Sequence, residues 1–426
     1  METTKNTKMY FGRPGSMYGL ISMTVLICIT AYQVILSYMV LRDDEEHFVE
    51  FFIYFGVLIA IEWVYYVVVG IVMNRHVSVE LIAFALSSIS LFLTASISPG
   101  VAKTQFAAII LGLGVFVFMI EFMKSTTRTA AMRLPMAFAA VGLLAFTLVF
   151  ARYTNGAKNW IYIGGLSIQP SEFVKLAFIY VGAATLDKLQ STRSLTLYIL
   201  FAVSCVGLLG LMGDFGTALI FFSAFLIMAF MRSGDYRTII MICAAALIGG
   251  IIILMLKSYI LDRFKTYRHI WQYINEGGYQ QTRSLVYAAS GGFFGIGIGN
   301  GYLRDVFAAS EDLIFCLVCE ELGMLTGFLI VIVYCLIALG AAFNARYARS
   351  SFFTIASCAA AGMLLVQTAL NVFGVTDFLP LTGVTLPFVS QGGSSMICSW
   401  GLIAFIKAAD TRAYGIKINR PGGSRR

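Results

Sequence analysis

Stretches of about 20 mostly apolar residues recur along nearly the whole of this 426-residue chain, and as helices each is long enough to cross the hydrocarbon of a bilayer. A chain that repeats this length so often has lipid as its solvent. Hydrophobic residues make up 59% of the sequence and charged residues 12%, which is more apolar surface than an aqueous fold could hide. The first stretch, 17–41, is too long for the core of a removable secretory signal and reads as the first anchor. Spans are predicted at 17–41, 48–73, 78–97, 105–123, 131–152, 171–187, 194–212, 215–232, 237–257, 312–342, 351–374 and 391–409. The expected fold is therefore an all-α polytopic membrane protein of about twelve helices. Only Gly213-Asp214 separates 194–212 from 215–232, so a single kinked or re-entrant element stays open there.

The net charge of +8 is explained by orientation rather than by nucleic acid, since Lys and Arg favour the cytoplasmic ends of spans. With the N-terminus inside, Arg75, Lys124, Arg128, Arg133, Lys188, Arg193, Arg232, Arg237, Arg346, Arg349 and the tail Arg412–Arg426 all fall on one side, and Asp43-Asp44-Glu45-Glu46 on the other. Both termini are expected in the cytoplasm. The eight cysteines lie in or beside apolar runs and behave as small hydrophobes. Cys316 and Cys319 have CxxC spacing, but no second Cys or His pair completes a tetrahedral site, so no metal is expected.

The long polar interruption, 258–311, falls on the outer side and is too aromatic for disorder, so a structured loop on the membrane surface is expected. Its stretch Gly291 to Gly301 resembles a phosphate loop only superficially. A dinucleotide fingerprint belongs between a strand and a helix, and tight packing against neighbours is the stronger reading. Acidic residues inside spans need an interior partner or a wet cavity. Glu62 and Glu121 are read as structural or functional with equal weight, and Glu320-Glu321 as lining a cavity. Glu172 and Lys175 stand one helical turn apart, where they can neutralise each other, just after Gln169-Pro170-Ser171, which suits a helix start.

Five ordered blocks then carry a resemblance. They are Gly156-Ala157-Lys158-Asn159-Trp160-Ile161 running to Gln169-Pro170-Ser171-Glu172-Phe173-Val174-Lys175, Gly213-Asp214-Phe215-Gly216-Thr217-Ala218, and Gly278-Tyr279-Gln280. Asp312-Leu313-Ile314-Phe315 with Glu320-Glu321-Leu322-Gly323 is the fourth, and Leu379 to Gly383 with Leu386 to Ser395 the fifth. The chain resembles the SEDS family of shape, elongation, division and sporulation proteins, typified by FtsW and RodA. The resemblance divides it into a cytoplasmic N-terminus (1–16), N-terminal helices (17–152), a core (153–409) containing the loop 258–311, and a basic tail (410–426). Members have three spans before the first block, whereas five are counted here, so two N-terminal helices are extra.

The resemblance implies a glycosyltransferase of the bacterial inner membrane that polymerises lipid II, an undecaprenyl-pyrophosphate-linked disaccharide peptide, together with a class B penicillin-binding protein. Substrate contacts are expected from Lys158, Trp160, Gln169, Ser171, Glu172, Lys175, Asp214, Arg268, Tyr279, Gln280, Asp312, Glu320, Glu321, Ser390, Gly392, Gly393 and Ser394. Cations on the outer side suit the pyrophosphate, and a divalent ion such as Mg or Mn could bridge it. The attacking sugar hydroxyl needs a carboxylate to take its proton. The family's aspartate position, six residues before the Tyr of the third block, holds Tyr273 here. Glu276 is the nearest substitute and Asp262 the next. An inactive lipid II-binding scaffold or a flippase remains the alternative.

Overall fold

The computed structural model describes residues 16–43, 46–154, 156–163, 166–187, 192–237, 240–244, 265–346 and 348–410. Among these, helices stand at eleven of the twelve expected spans, and most of the ninth, 237–257, lies outside the described residues. Among the described residues, eight helices are long and apolar enough to cross a membrane. Before the first signature block come α1 (Ser16–Asp43), α2 (Phe48–Tyr65, continued by a π-helical turn Tyr66–Val72), α3 (Ser78–Ile97), α4 (Pro99–Met123), the short α5 (Thr126–Ala131) and α6 (Arg133–Phe150).

The signature block itself, expected as loop, is a three-stranded antiparallel sheet of β1 (Arg152–Thr154), β2 (Ala157–Ile163) and β3 (Leu166–Ile168). Ile161 opposes Ile168 and Arg152 opposes Trp160, so the pairing is settled by neighbours in sequence. Next come α7 (Pro170–Asp187), α8 (Thr192–Met212) and α9 (Phe215–Ser233). The Gly213-Asp214 junction resolves into two helices. Gly213 takes a positive φ of 84°, and the Asp214 side chain accepts the Thr217 N–H to cap α9.

The remaining helices are α10 (Tyr279–Ser290), α11 (Ile314–Glu321), α12 (Met324–Ala345), α13 (Ser351–Val375) and α14 (Gly393–Ala409). The single span expected over 312–342 is thus broken between α11 and α12 at Gly323, whose φ is +92°. The freed amides at the start of α12 are taken up by the glycine stretch: Met324 N–H donates to the Gly292 carbonyl (2.9 Å) and Leu325 N–H to that of Phe293 (3.2 Å). Ile296 and Gly297 donate in return to the Glu320 and Glu321 carbonyls, each at 3.0 Å. A Cβ on Gly295 would lie 2.2 Å from the Glu321 carbonyl oxygen, so backbone meets backbone here with no room for a side chain.

Helix α14 is the hub, buried along its length and packed on α3, α4, α7 and α13. Trp400 is fully buried among Phe84, Phe116 and Phe388, with ring centroids at 5.0, 5.6 and 5.7 Å. Gly112 lets α4 close on it, since a Cβ there would stand 2.7 Å from Trp400 Cδ1, the small-residue packing that association in lipid favours. The Lys407 ammonium is paired with Glu80 of α3 at 2.5 Å and also donates to the His76 carbonyl, and Tyr65 donates to Glu80 (2.8 Å).

Helices α1 and α2 lie on the periphery, mostly unburied, and polar groups tie them together. Gln33 Nε2 donates to Glu62 Oε1 at 2.7 Å, and Trp63 Nε1 to Thr30 Oγ1 at 3.0 Å. Of the two undecided acids, Glu62 is therefore buried between helices. Glu121 is exposed at the end of α4 beside Lys124.

Candidate active site

A cavity of about 750 Å³ opens at one end of the bundle. Its walls come from β2, the start of α7 and α9, the segment 265–281, the turn 307–312, Gln367 of α13 and the segment 381–385. On its inner wall, Lys175 Nζ contacts Glu172 Oε1 at 2.7 Å and Gln367 Oε1 at 2.8 Å, and Gln367 Nε2 continues to the Thr385 carbonyl (2.9 Å). The one-turn spacing puts both charges on one face of α7. Being buried, they have to be satisfied internally, and Gln367 completes the set.

Asp214 is the joint between three elements. Oδ1 accepts the Thr217 N–H (3.1 Å), and Oδ2 accepts from Asn159 of β2 (3.1 Å) and Gln169 before α7 (3.2 Å). On the opposite side, Asn371 Nδ2 donates to the carbonyls of Asp312 and Val384, both at 2.8 Å. The Ser310–Glu311 backbone is fastened to the turn before α14: Gln391 N–H donates to the Ser310 carbonyl (2.7 Å) and Ser390 Oγ to the Glu311 carbonyl (2.6 Å).

The rim is the segment 265–278, carrying Tyr273 and Glu276. Tyr267 donates to the Phe378 carbonyl (2.8 Å), and the Arg268 amide donates to Asp377 Oδ1 (3.1 Å). Gln281 donates to the Gly374 carbonyl (2.7 Å). Among the described residues, the Glu276 and Glu311 carboxylates line the cavity with no hydrogen bond or ion pair of their own. Glu311 is solvent-accessible, while the protein around its carboxyl partly desolvates it and pushes it above the ordinary range.

The model of the FtsW/RodA/SpoVE family of cell cycle proteins matches residues 75–414. The chain belongs to this family. The match starts just after α2, so α1 and α2 lie outside it, and it begins well ahead of the expected core boundary at 153. The chain is 29% identical over 338 residues to a probable peptidoglycan glycosyltransferase FtsW of Bacillus subtilis, covering 72% of this chain and 82% of that one. To the peptidoglycan glycosyltransferase RodA of Mycobacterium tuberculosis it is 28% identical over 324 residues, covering 72% and 69%. Among solved structures it shares its fold with the Thermus thermophilus rod shape determining protein RodA (TM-score 0.60, 24% identity, 80% of this chain and 98% of that one). A peptidoglycan synthase complex in which polymerization and crosslinking are coordinated contains a similar chain (TM-score 0.65, 24% identity, the same coverage).

Of the residues that the family resemblance singled out, Trp160, Gln169, Glu172, Lys175, Asp214, Glu276, Gln280 and Asp312 are brought together around the cavity. Others of the described residues are not. Glu320 and Glu321 do not line the cavity: Glu320 accepts the amides of Tyr302 (2.8 Å) and Leu303 (3.0 Å), and Glu321 that of Gly299 (3.1 Å). They are internal caps for the glycine stretch. Arg268 lies over the rings of Tyr267 and Phe378, and Tyr279 lies under the Arg283 guanidinium.

Ser390 is consumed by Leu386 N–H and the Glu311 carbonyl, and the Gly392 amide donates to Gln105 Oε1. The Ser394 hydroxyl accepts from the Gln169 amide, and Gly393 opens α14. Lys158 sits on β2 and the buried Ser171 on α7, both outside the lining. Asp262 lies outside the described residues.

Sequence reasoning missed Gln367, Asn371 and Glu311. Gln367 and Asn371 are amides one helical turn apart within an apolar span, a spacing that points both at one polar face and could have been noticed. Nothing in the sequence marks Glu311 beyond its place beside Asp312. Among the described residues no cluster of three His, Cys, Asp or Glu is arranged to hold a metal ion.

Proposed function

We propose that this chain is a peptidoglycan glycosyltransferase of the bacterial inner membrane, with both termini in the cytoplasm, that polymerises lipid II alongside a class B penicillin-binding protein. The observation that carries the reading is a single cavity in which a buried Glu172–Lys175–Gln367 relay faces carboxylates on the rim. A lipid-linked sugar needs cations for its pyrophosphate, polar groups for its sugars and a carboxylate for the attacking hydroxyl. Lys265 supplies charge, and Trp160, Gln280 and Gln391 supply sugar-facing groups. Tyr273 occupies the family's base position and offers no carboxylate there, so among the described residues the proton has Glu276 or Glu311 to go to.

Among the described residues no group of acidic, Cys or His side chains is arranged as a ligand cluster, so a divalent ion would come in with the pyrophosphate. The flippase reading loses its material once Glu320 and Glu321 are committed to backbone amides. The scaffold reading rests on Tyr273 alone. Purified protein, with and without its penicillin-binding partner, is to be given labelled lipid II. Glycan strands formed by the wild type support the transferase, whereas bound but unpolymerised lipid II supports the scaffold.

A further inference from the structure

The transferase reading leaves open which group takes the proton, and the cavity narrows the choice. Among the described residues five acidic side chains line it: Glu172, Asp214, Glu276, Glu311 and Asp312. Glu172 is bound to Lys175, and Asp214 accepts three hydrogen bonds, so accepting a proton would break the contacts that hold the walls together. Asp312 has an interaction of its own. Glu276 and Glu311 remain, and they differ in how they are held. Glu276 lies on a turn of the exposed rim. Glu311 stands on clamped backbone, held by Gln391 at the Ser310 carbonyl before it, by Ser390 at its own carbonyl and by Asn371 at the Asp312 carbonyl after it. A base held on rigid supports keeps the reacting geometry without further ordering when substrate binds.

Resting on that transferase reading, we propose that Glu311 is the general base of the cavity. As the acceptor hydroxyl oxygen bonds to the donor anomeric carbon, its proton passes to the Glu311 carboxylate. The bond from that carbon to the pyrophosphate oxygen breaks, and the lipid pyrophosphate leaves with the electron pair. The sugar product and a protonated Glu311 remain, and solvent in the open cavity takes the proton. The raised carboxyl of Glu311 is consistent with this role, since a base works best with its pKa near the working pH.

The test uses full-length protein with its penicillin-binding partner and labelled lipid II, comparing wild type, Glu311→Gln, Glu311→Asp and Glu276→Gln. Polymerisation rate, lipid II affinity and thermal stability are read for each. Expected are a loss of roughly 100-fold or more for Glu311→Gln, of the size a lost general base gives, with affinity and stability kept and partial recovery in Glu311→Asp. Glu276→Gln should lose less than Glu311→Gln. Polymer from the wild type and from Glu311→Gln at similar rates overturns the inference alone, as does a larger loss in Glu276→Gln. A wild type that makes no polymer overturns the transferase reading and this inference with it.

Discussion

The Arg268 amide donates to Asp377 Oδ1 at 3.1 Å, and both residues hold left-handed backbone, with φ of 59° and 57°. Neither is glycine, so each conformation has to be stabilised by its surroundings. The clasp sets the rim that carries Tyr273 and Glu276 against the segment following α13. Asp377→Ala is expected to loosen it by about 1 kcal/mol, speeding amide hydrogen exchange over 266–278 several-fold, whereas Asp377→Asn, which keeps an acceptor and tolerates this backbone, should stay near wild type. Equal exchange in the alanine variant would show that the clasp is idle.

Breaking the Glu172–Lys175 pair should cost more than removing it. Lys175→Met leaves a buried carboxylate uncompensated, at roughly 3–5 kcal/mol, and a steep fall in thermal stability in detergent is expected. Glu172→Gln combined with Lys175→Met should recover most of that fall. A double variant no better than the single one would argue against the pair as a unit.

At Gly295, φ is +80° and a Cβ would collide with the Glu321 carbonyl. Gly295→Ala is therefore expected to destabilise by more than about 1 kcal/mol, whereas at Gly393, which has open space around it, alanine should be close to neutral. Melting temperatures of the two variants make the comparison.

Activity should depend on pH through Glu311. Its carboxyl lies above the ordinary carboxylate range and has to be ionised to accept a proton, so the rate is present above that raised pKa and lost as pH falls through it. Glu172, Lys175, Asp214, Lys265, Glu276 and Asp312 line the same cavity. A wild-type rate that is flat down to the usual carboxylate range contradicts this.

Helices α1 and α2 should depend on Gln33. Gln33→Ala strands Glu62 between them without its donor, a loss of roughly 1–2 kcal/mol of helix association in lipid. Cysteine crosslinking between the two helices, compared in wild type and variant, reports it.

Much of the fold was legible because its signals are local. Apolar runs mark spans whatever surrounds them, and Gly213-Asp214 already held the left-handed turn and the cap that divide α8 from α9. The break at Gly323 was not legible, because apolar runs continue on either side of Glu320-Glu321 and the amides it frees are satisfied by a segment some thirty residues earlier. The small sheet was hidden as well, since β1 and β3 are three residues each and β2 does not alternate apolar with polar residues.

By itself the sequence determined that this chain lives in a bilayer, roughly where it crosses, and that Glu172 and Lys175 share a helix face, since each follows from hydropathy or from spacing along one element. Only the tertiary structure decided which acids meet in one cavity. Glu320 and Glu321 read in the sequence as lining a cavity and are spent on backbone amides, while Glu311 looks ordinary and stands without a partner on a clamped wall. The physical reason is that a carboxylate's role is set by the donors that reach it, and in this fold those donors come from segments far apart along the chain.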